Sequence, residues 1–212
     1  MTGPSRLKWP QIVKNAIAPK LPEFDARGRL IFRAPVGDIL RGFLVEVSAY
    51  TNRAVTIESF LMALYIPSDH LTFNIGHRVP DPHTGSTLWQ IGETPESDFS
   101  RLVEALRADN LAYLDKVRSV ADFLPIAKAS KNSHDQEAAG YSEAITGQFA
   151  DAVQTLSRLS SSLDPSVDWQ QAMKQRADRI CELARGANGD EIGRALGGYR
   201  KDTLRNLKLD AV

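Results

Sequence analysis

Three of the four histidines, His70, His77 and His83, fall between residues 70 and 85, with Asp69 and Asp81 beside them. Imidazole nitrogens and carboxylates are the ordinary ligands of zinc and non-haem iron. They are also the usual general acids and bases. Spacing decides which of them can act together. The stretch "HLTFNIGH" (70–77) alternates polar and apolar residues and is predicted as a strand. Side chains alternate across a strand with period two. His70 and His77 are an odd number of residues apart, so they point to opposite faces. His77 goes with Leu71, Phe73 and Ile75, and His70 with Thr72 and Asn74. The three histidines are therefore not one constellation. What remains is His77, Asp81 and His83, which the loop "RVPDPHTG" (78–85) would have to fold together to make a metal-dependent hydrolase. Pro80 and Pro82 leave that approach unspecified. The plainer expectation is a turn in which Asp81 and Thr84 bond local backbone and His83 stays on the surface, with no metal and no cofactor.

Other catalytic templates are missing. The chain has no G-x-S-x-G, no Walker loop, no dinucleotide-binding fingerprint and no H-E-x-x-H. The glycine-rich "GDEIGRALGG" (189–198) lies inside a helical pattern with no strand before it, which argues against phosphate binding. Glu46 and Glu58 read as solvent-facing charges rather than an acid/base pair. Cys181 is the lone cysteine, so no disulfide forms within the chain. No histidine lies within forty residues of it in sequence, and it reads as a small core residue.

Lys+Arg and Asp+Glu both number 26, a formal net charge of zero, which argues against nucleic acid or an anionic membrane as partner. Arg6, Lys8, Lys14 and Lys20 read as a solvated N-terminal stretch. Arg200, Lys201, Arg205 and Lys208, interrupted by Asp202 and Asp210, read as one face of a last helix. No apolar run approaches the ~20 residues of a membrane span, and residues 1–20 do not make a secretory signal. The expectation is a cytoplasmic protein.

The elements that must carry these residues follow from periodicity. Residues 10–18 are predicted as a short amphipathic helix. Strands are predicted at 28–35, 43–50, 59–66, 70–77 and, shorter, 86–92, with connections too short for helical crossovers. From Phe99 onward the pattern is helical: a stripe through Leu106, another from Leu111 to Pro125, a polar stretch at 128–135, and a long helix from Tyr141 to Leu163. Two more follow on Trp169–Ala184 and Ile192–Leu207, the second interrupted at Gly197-Gly198. The fold class is therefore α+β. An antiparallel four- to five-stranded sheet with flanking helices occupies 1–127, and a C-terminal helical hairpin or bundle occupies 135–212.

The order of "IVKNAIAPKLPEFDARGRLIFR", then "FLVEVSAY", then "LTFNIGHRV" resembles a family of uncharacterised bacterial α+β domains of unknown function over residues 10–120. Some members of that family sit near toxin and immunity genes. The resemblance implies a protein of the immunity or antitoxin type that neutralises a protein partner. It carries no catalytic signature, and no site residue transfers from it. Together with the missing catalytic templates it points to a non-enzymatic protein-binding module. The contact surface is expected on the loop 78–89, through Arg78, Asp81, His83 and Trp89, with Pro80 and Pro82 limiting its freedom. A second candidate is the groove beside the helical tail near Tyr141, Trp169 and Tyr199.

Overall fold

The computed structural model describes residues 7–209. Arg6 and Asp210 lie outside them. The class is α+β, with an antiparallel sheet and helices toward the C-terminus. The strands are β1 (Phe24–Arg27), β2 (Leu30–Arg33), β3 (Ile39–Val47), β4 (Ala54–Ala63), β5 (Ile75–Arg78) and β6 (Trp89–Gln90). Their order is β1-β2-β3-β4-β5, with β6 also paired to β4. The helices are α1 (Trp9–Ile12), continued by a wide turn Val13–Ile17 and a tight one Ala18–Lys20, then α2 (Pro95–Ala105), α3 (Leu111–Asp115), α4 (Val120–Ala129), α5 (Ser133–Ile145), α6 (Phe149–Ser162), α7 (Asp168–Arg185) and α8 (Gly189–Asn206). None is long and apolar enough to cross a membrane among the described residues. Contacts gather the chain into two compact units, residues 1–61 with 76–116 and residues 62–75 with 117–212.

In the first unit the sheet begins as a hairpin. Phe24 pairs with Arg33 and Arg27 with Leu30, and Gly28, at φ 61°, makes the left-handed turn. The single strand expected at 28–35 is thus the second arm of a hairpin whose first arm is "FDAR". Register β2–β3 sets Ile31 opposite Phe43 and Phe32 opposite Gly42. A Cβ on Gly42 would lie 2.2 Å from the Ile31 carbonyl oxygen, so only glycine fits that crossing. β3 starts four residues before the expected strand, because this glycine and Arg41 disguise its beginning. The core face carries Ile31, Phe43, Val45, Val55 and Ile57, all buried. Helices α1 and α2 close over it, with the Trp9 and Phe99 rings edge to face at 5.9 Å.

The predicted strand 70–77 is the largest departure. Residues 70–74 are not strand, and only Ile75–Arg78 joins the sheet. The two faces assigned to His70 and His77 therefore do not exist. His70 is a surface residue whose Nδ1 lies 2.6 Å from Asp69 Oδ1. Likewise, β6 is two residues rather than seven.

In the second unit, α5 is the central helix and packs against α4, α6, α7 and α8. The helix expected from Tyr141 to Leu163 is two helices. Gly147, at φ 78°, turns the chain between α5 and α6. The stripe expected to end at Pro125 instead stops with α3. A capping box of Ser119 and Asp122 then starts α4, which runs through Pro125. Asn132 caps α5, and α8 runs through Gly197-Gly198 without a break.

Candidate functional site

The chain from Val79 to Gly92 makes a loop with a buried base and an exposed tip. Residues 82–88 are all exposed, and Asp81 and Trp89 on either side are buried. Trp89 pairs with Val55 through β6, and its Nε1–H donates to the Val79 carbonyl at 2.9 Å. That bond crosses the neck of the loop. Above it, the Asp81 N–H donates to the Ser86 carbonyl at 2.9 Å. The Gly85 N–H donates back to the Asp81 carbonyl at 2.8 Å, and the His83 N–H to the Asp81 carboxylate at 3.0 Å. Gly85 takes φ 70°, a conformation the turn requires and a side chain resists. Ser86 and Thr84 hydroxyls accept further N–H groups from Leu88 and Ser86. The expected Asx-type turn is present, and these bonds fix the tip.

Helix α2 supplies the brace. Pro95 opens it, and Asp98 and Arg101 stand one turn apart on the face turned to the loop. Arg101 Nη2 donates to Asp98 Oδ1 at 2.8 Å, and its Nε lies 3.4 Å from Asp81 Oδ1, near enough for an ion pair though not aligned as a hydrogen bond. Its guanidinium sits 5.7 Å from the Trp89 ring centre. Asp98 accepts the Gly92 N–H through its other oxygen at 2.7 Å. One cation thus holds both ends of the loop and the indole between them.

The four residues expected to meet a partner therefore divide. His83 is exposed at the tip. Arg78 is exposed at the end of β5, with its Nε 2.6 Å from Glu58 on β4. Asp81 and Trp89 are framework: the carboxylate is turned inward to the backbone and Arg101, and the indole is fully buried. Trp89 was expected on display. Arg101, twelve residues further along, packs against its ring, and a single-sequence pattern does not register such a contact. Asp98 and Arg101 were missed altogether. Their i, i+3 spacing on one helix face was the only local signal.

His77 stands apart. Its Nε2 lies 2.8 Å from Asn110 Oδ1, and the Asn110 amide donates to the Ala105 carbonyl at 2.7 Å. With the amide so oriented, the oxygen accepts and Nε2 carries the proton. Asn110 ends a wide five-residue turn, Leu106–Asn110, between α2 and α3. The Tyr113 ring meets the imidazole edge on at 4.8 Å, and burial pushes the Tyr113 hydroxyl above its ordinary value. His77, Asp81 and His83 are not brought together. Among the described residues, no three His, Cys, Asp or Glu side chains are grouped to hold a metal ion.

In the second unit Tyr141 is buried, and its hydroxyl donates to Glu137 at 3.0 Å. Glu137 is itself fully buried and bridged by Arg176 Nε and Nη2 at 3.0 and 3.2 Å. The Tyr199 ring stacks on Tyr141 at 6.5 Å. These are packing roles. Trp169, in contrast, is half exposed and stacks on His134 at 5.5 Å.

No family model, no curated protein and no solved structure matches the chain.

Proposed function

We propose that this protein is a non-enzymatic binding module that engages a protein partner through the loop tip 82–88, of the immunity or antitoxin type that the resemblance implies. The supporting observation is seven consecutive exposed residues held between two buried ones. A tip already fixed by its own hydrogen bonds loses little conformational freedom on binding. Leu88, 42 % exposed, supplies an apolar anchor, and His83, Thr84, Ser86 and Thr87 supply a polar rim. Asp81 and Trp89 serve this contact indirectly, by holding the tip.

Affinity capture from the source cells tests it, with the wild type beside a His83→Ala/Leu88→Ser variant. Both substitutions fall on exposed positions, so the thermal midpoint should be unchanged within about 0.5 kcal/mol of stability. A partner retained by the wild type and bound at least about tenfold more weakly by the variant is expected, a difference of about 1.4 kcal/mol. A partner held equally by both contradicts the loop as contact surface.

A further inference from the structure

A groove of about 330 Å³ lies in the first unit, lined by Leu7, Lys8, Trp9, Pro10, Arg29 and Val47 among others. Its walls are fixed. The Trp9 Nε1–H donates to the Asn52 carbonyl at 2.8 Å, and the Asn52 side-chain amide donates to the Leu7 carbonyl at 3.2 Å. These two bonds tie the segment before α1 to the β3–β4 turn. Arg29 comes from the β1–β2 turn, beside Gly28 at φ 61°. The lining holds two cations and no acid. Among the described residues, neither the Lys8 nor the Arg29 side chain has an ion-pair or hydrogen-bond partner. In a chain of zero net charge this is a local imbalance.

Two other surface grooves each hold an acid beside their cations. The one between α7 and α8 sets Arg179 and Arg194 beside Glu191, with Arg194 and Glu191 3.9 Å apart. The one beside α2 contains Glu96, and its Lys20 donates to Ser100 at 3.1 Å. Both of these linings include a carboxylate, which the Lys8–Arg29 groove lacks. Near the Lys8–Arg29 groove, Tyr50 is 99 % exposed two residues before Asn52, on the same turn. A fully exposed tyrosine on a rigid turn is a common anchor at protein interfaces.

We infer that the Lys8–Arg29 groove is a second docking surface, and that its occupant is an acidic segment of a protein partner carrying an aliphatic side chain. The aliphatic group would lie on Pro10 and Val47, beside the buried Trp9. Carboxylates on either side of it would face Lys8 and Arg29. Exposed ion pairs of this kind add modest affinity each and weaken with salt. The surface is separate from the 82–88 tip and stands or falls without it.

The test is an NMR titration of the ¹⁵N-labelled chain with a blocked peptide of alternating glutamate and leucine, and with its lysine–leucine counterpart as control. Saturable shifts at the Lys8, Gln11 and Asn52 amides and at the Trp9 indole N–H are expected with the acidic peptide alone. A Lys8→Glu/Arg29→Glu variant should weaken binding about tenfold, with its spectrum otherwise unchanged. A Lys8→Gln/Arg29→Gln variant gives the same comparison without charge reversal, should the first fail to fold. Absence of shifts at the groove, equal response to the lysine peptide, or shifts confined to the Lys201–Arg205 face would overturn the inference. Loss of the tip contact in a His83→Ala/Leu88→Ser background leaves it untouched.

Discussion

Arg101 carries more of the candidate site than any residue at the tip. It faces Asp98, Asp81 and the Trp89 ring at once, with its own side chain largely covered. An Arg101→Met change keeps the length of the side chain but leaves two inward-facing carboxylates without their cation. A loss of about 2–3 kcal/mol is expected from denaturant midpoints, below the full cost of breaking a deeply buried pair because Arg101 retains some solvent. Amide exchange at His83 and Gly85 should accelerate while that of β3 holds. Equal acceleration in both would mean that Arg101 serves general stability and not the loop. In the second unit, burial and the neighbouring Glu137 carboxylate hold the Tyr141 hydroxyl well above its ordinary 10.0. The folded state therefore keeps this proton at pH values where the unfolded chain releases it. The resulting stability is intact below about pH 10 and declines as pH rises from there toward the folded value, by up to 1.4 kcal/mol per pH unit. In Tyr141→Phe that alkaline decline should be shallower, and stability at pH 7 should fall by about 1–2 kcal/mol as Glu137 loses a donor. An unchanged alkaline slope would refute the assignment. Residue by residue, His83 and the Asp81 turn were legible, since "PDPHTG" dictates a local turn. The inward orientation of Asp81 and Trp89 was not, because it depends on a helix that the loop itself does not encode.

At the scale of elements, the strands were legible in their apolar residues but not in their bounds: the densest apolar run, expected as a strand at 59–66, belongs to β4, which starts at Ala54 and ends at Ala63. The alternation in 70–77 is real in the sequence, yet a strand needs a ladder partner, and only Ile75–Arg78 finds one. Gly76 shows how tight that pairing is. A Cβ there would lie 2.3 Å from the Ser59 carbonyl oxygen and 3.1 Å from the Phe60 Cα, backbone atoms that cannot swing away. Gly76→Ala should cost about 2–3 kcal/mol by calorimetry. Because β5 leads directly into the loop, the substitution should also loosen the Trp89 indole bond to Val79, seen as faster exchange of that N–H. A variant as stable as the wild type would show that β5 is not held in this register. The helices were legible in type and misread in extent. Apolar stripes can run on through a turn, as they do across Gly147, without marking where the helix stops.

For the whole molecule, the α+β class was visible in the change from two-residue to 3.6-residue periodicity after about residue 95. The composition of the two compact units was not. Each is assembled from two stretches of chain, and linear composition carries no sign of such interleaving. The central claim concerns one stretch within the first unit, the tip 82–88 as the place where a partner lands. The most direct measurement is hydrogen–deuterium exchange of the full chain, alone and with the captured partner bound. Slowed exchange at residues 82–88, alone or together with residues 7–11 and 47–52, is the expected result. Slowed exchange that spares 82–88 and centres instead on His134 and Trp169 would contradict it and move the contact surface to the helical unit.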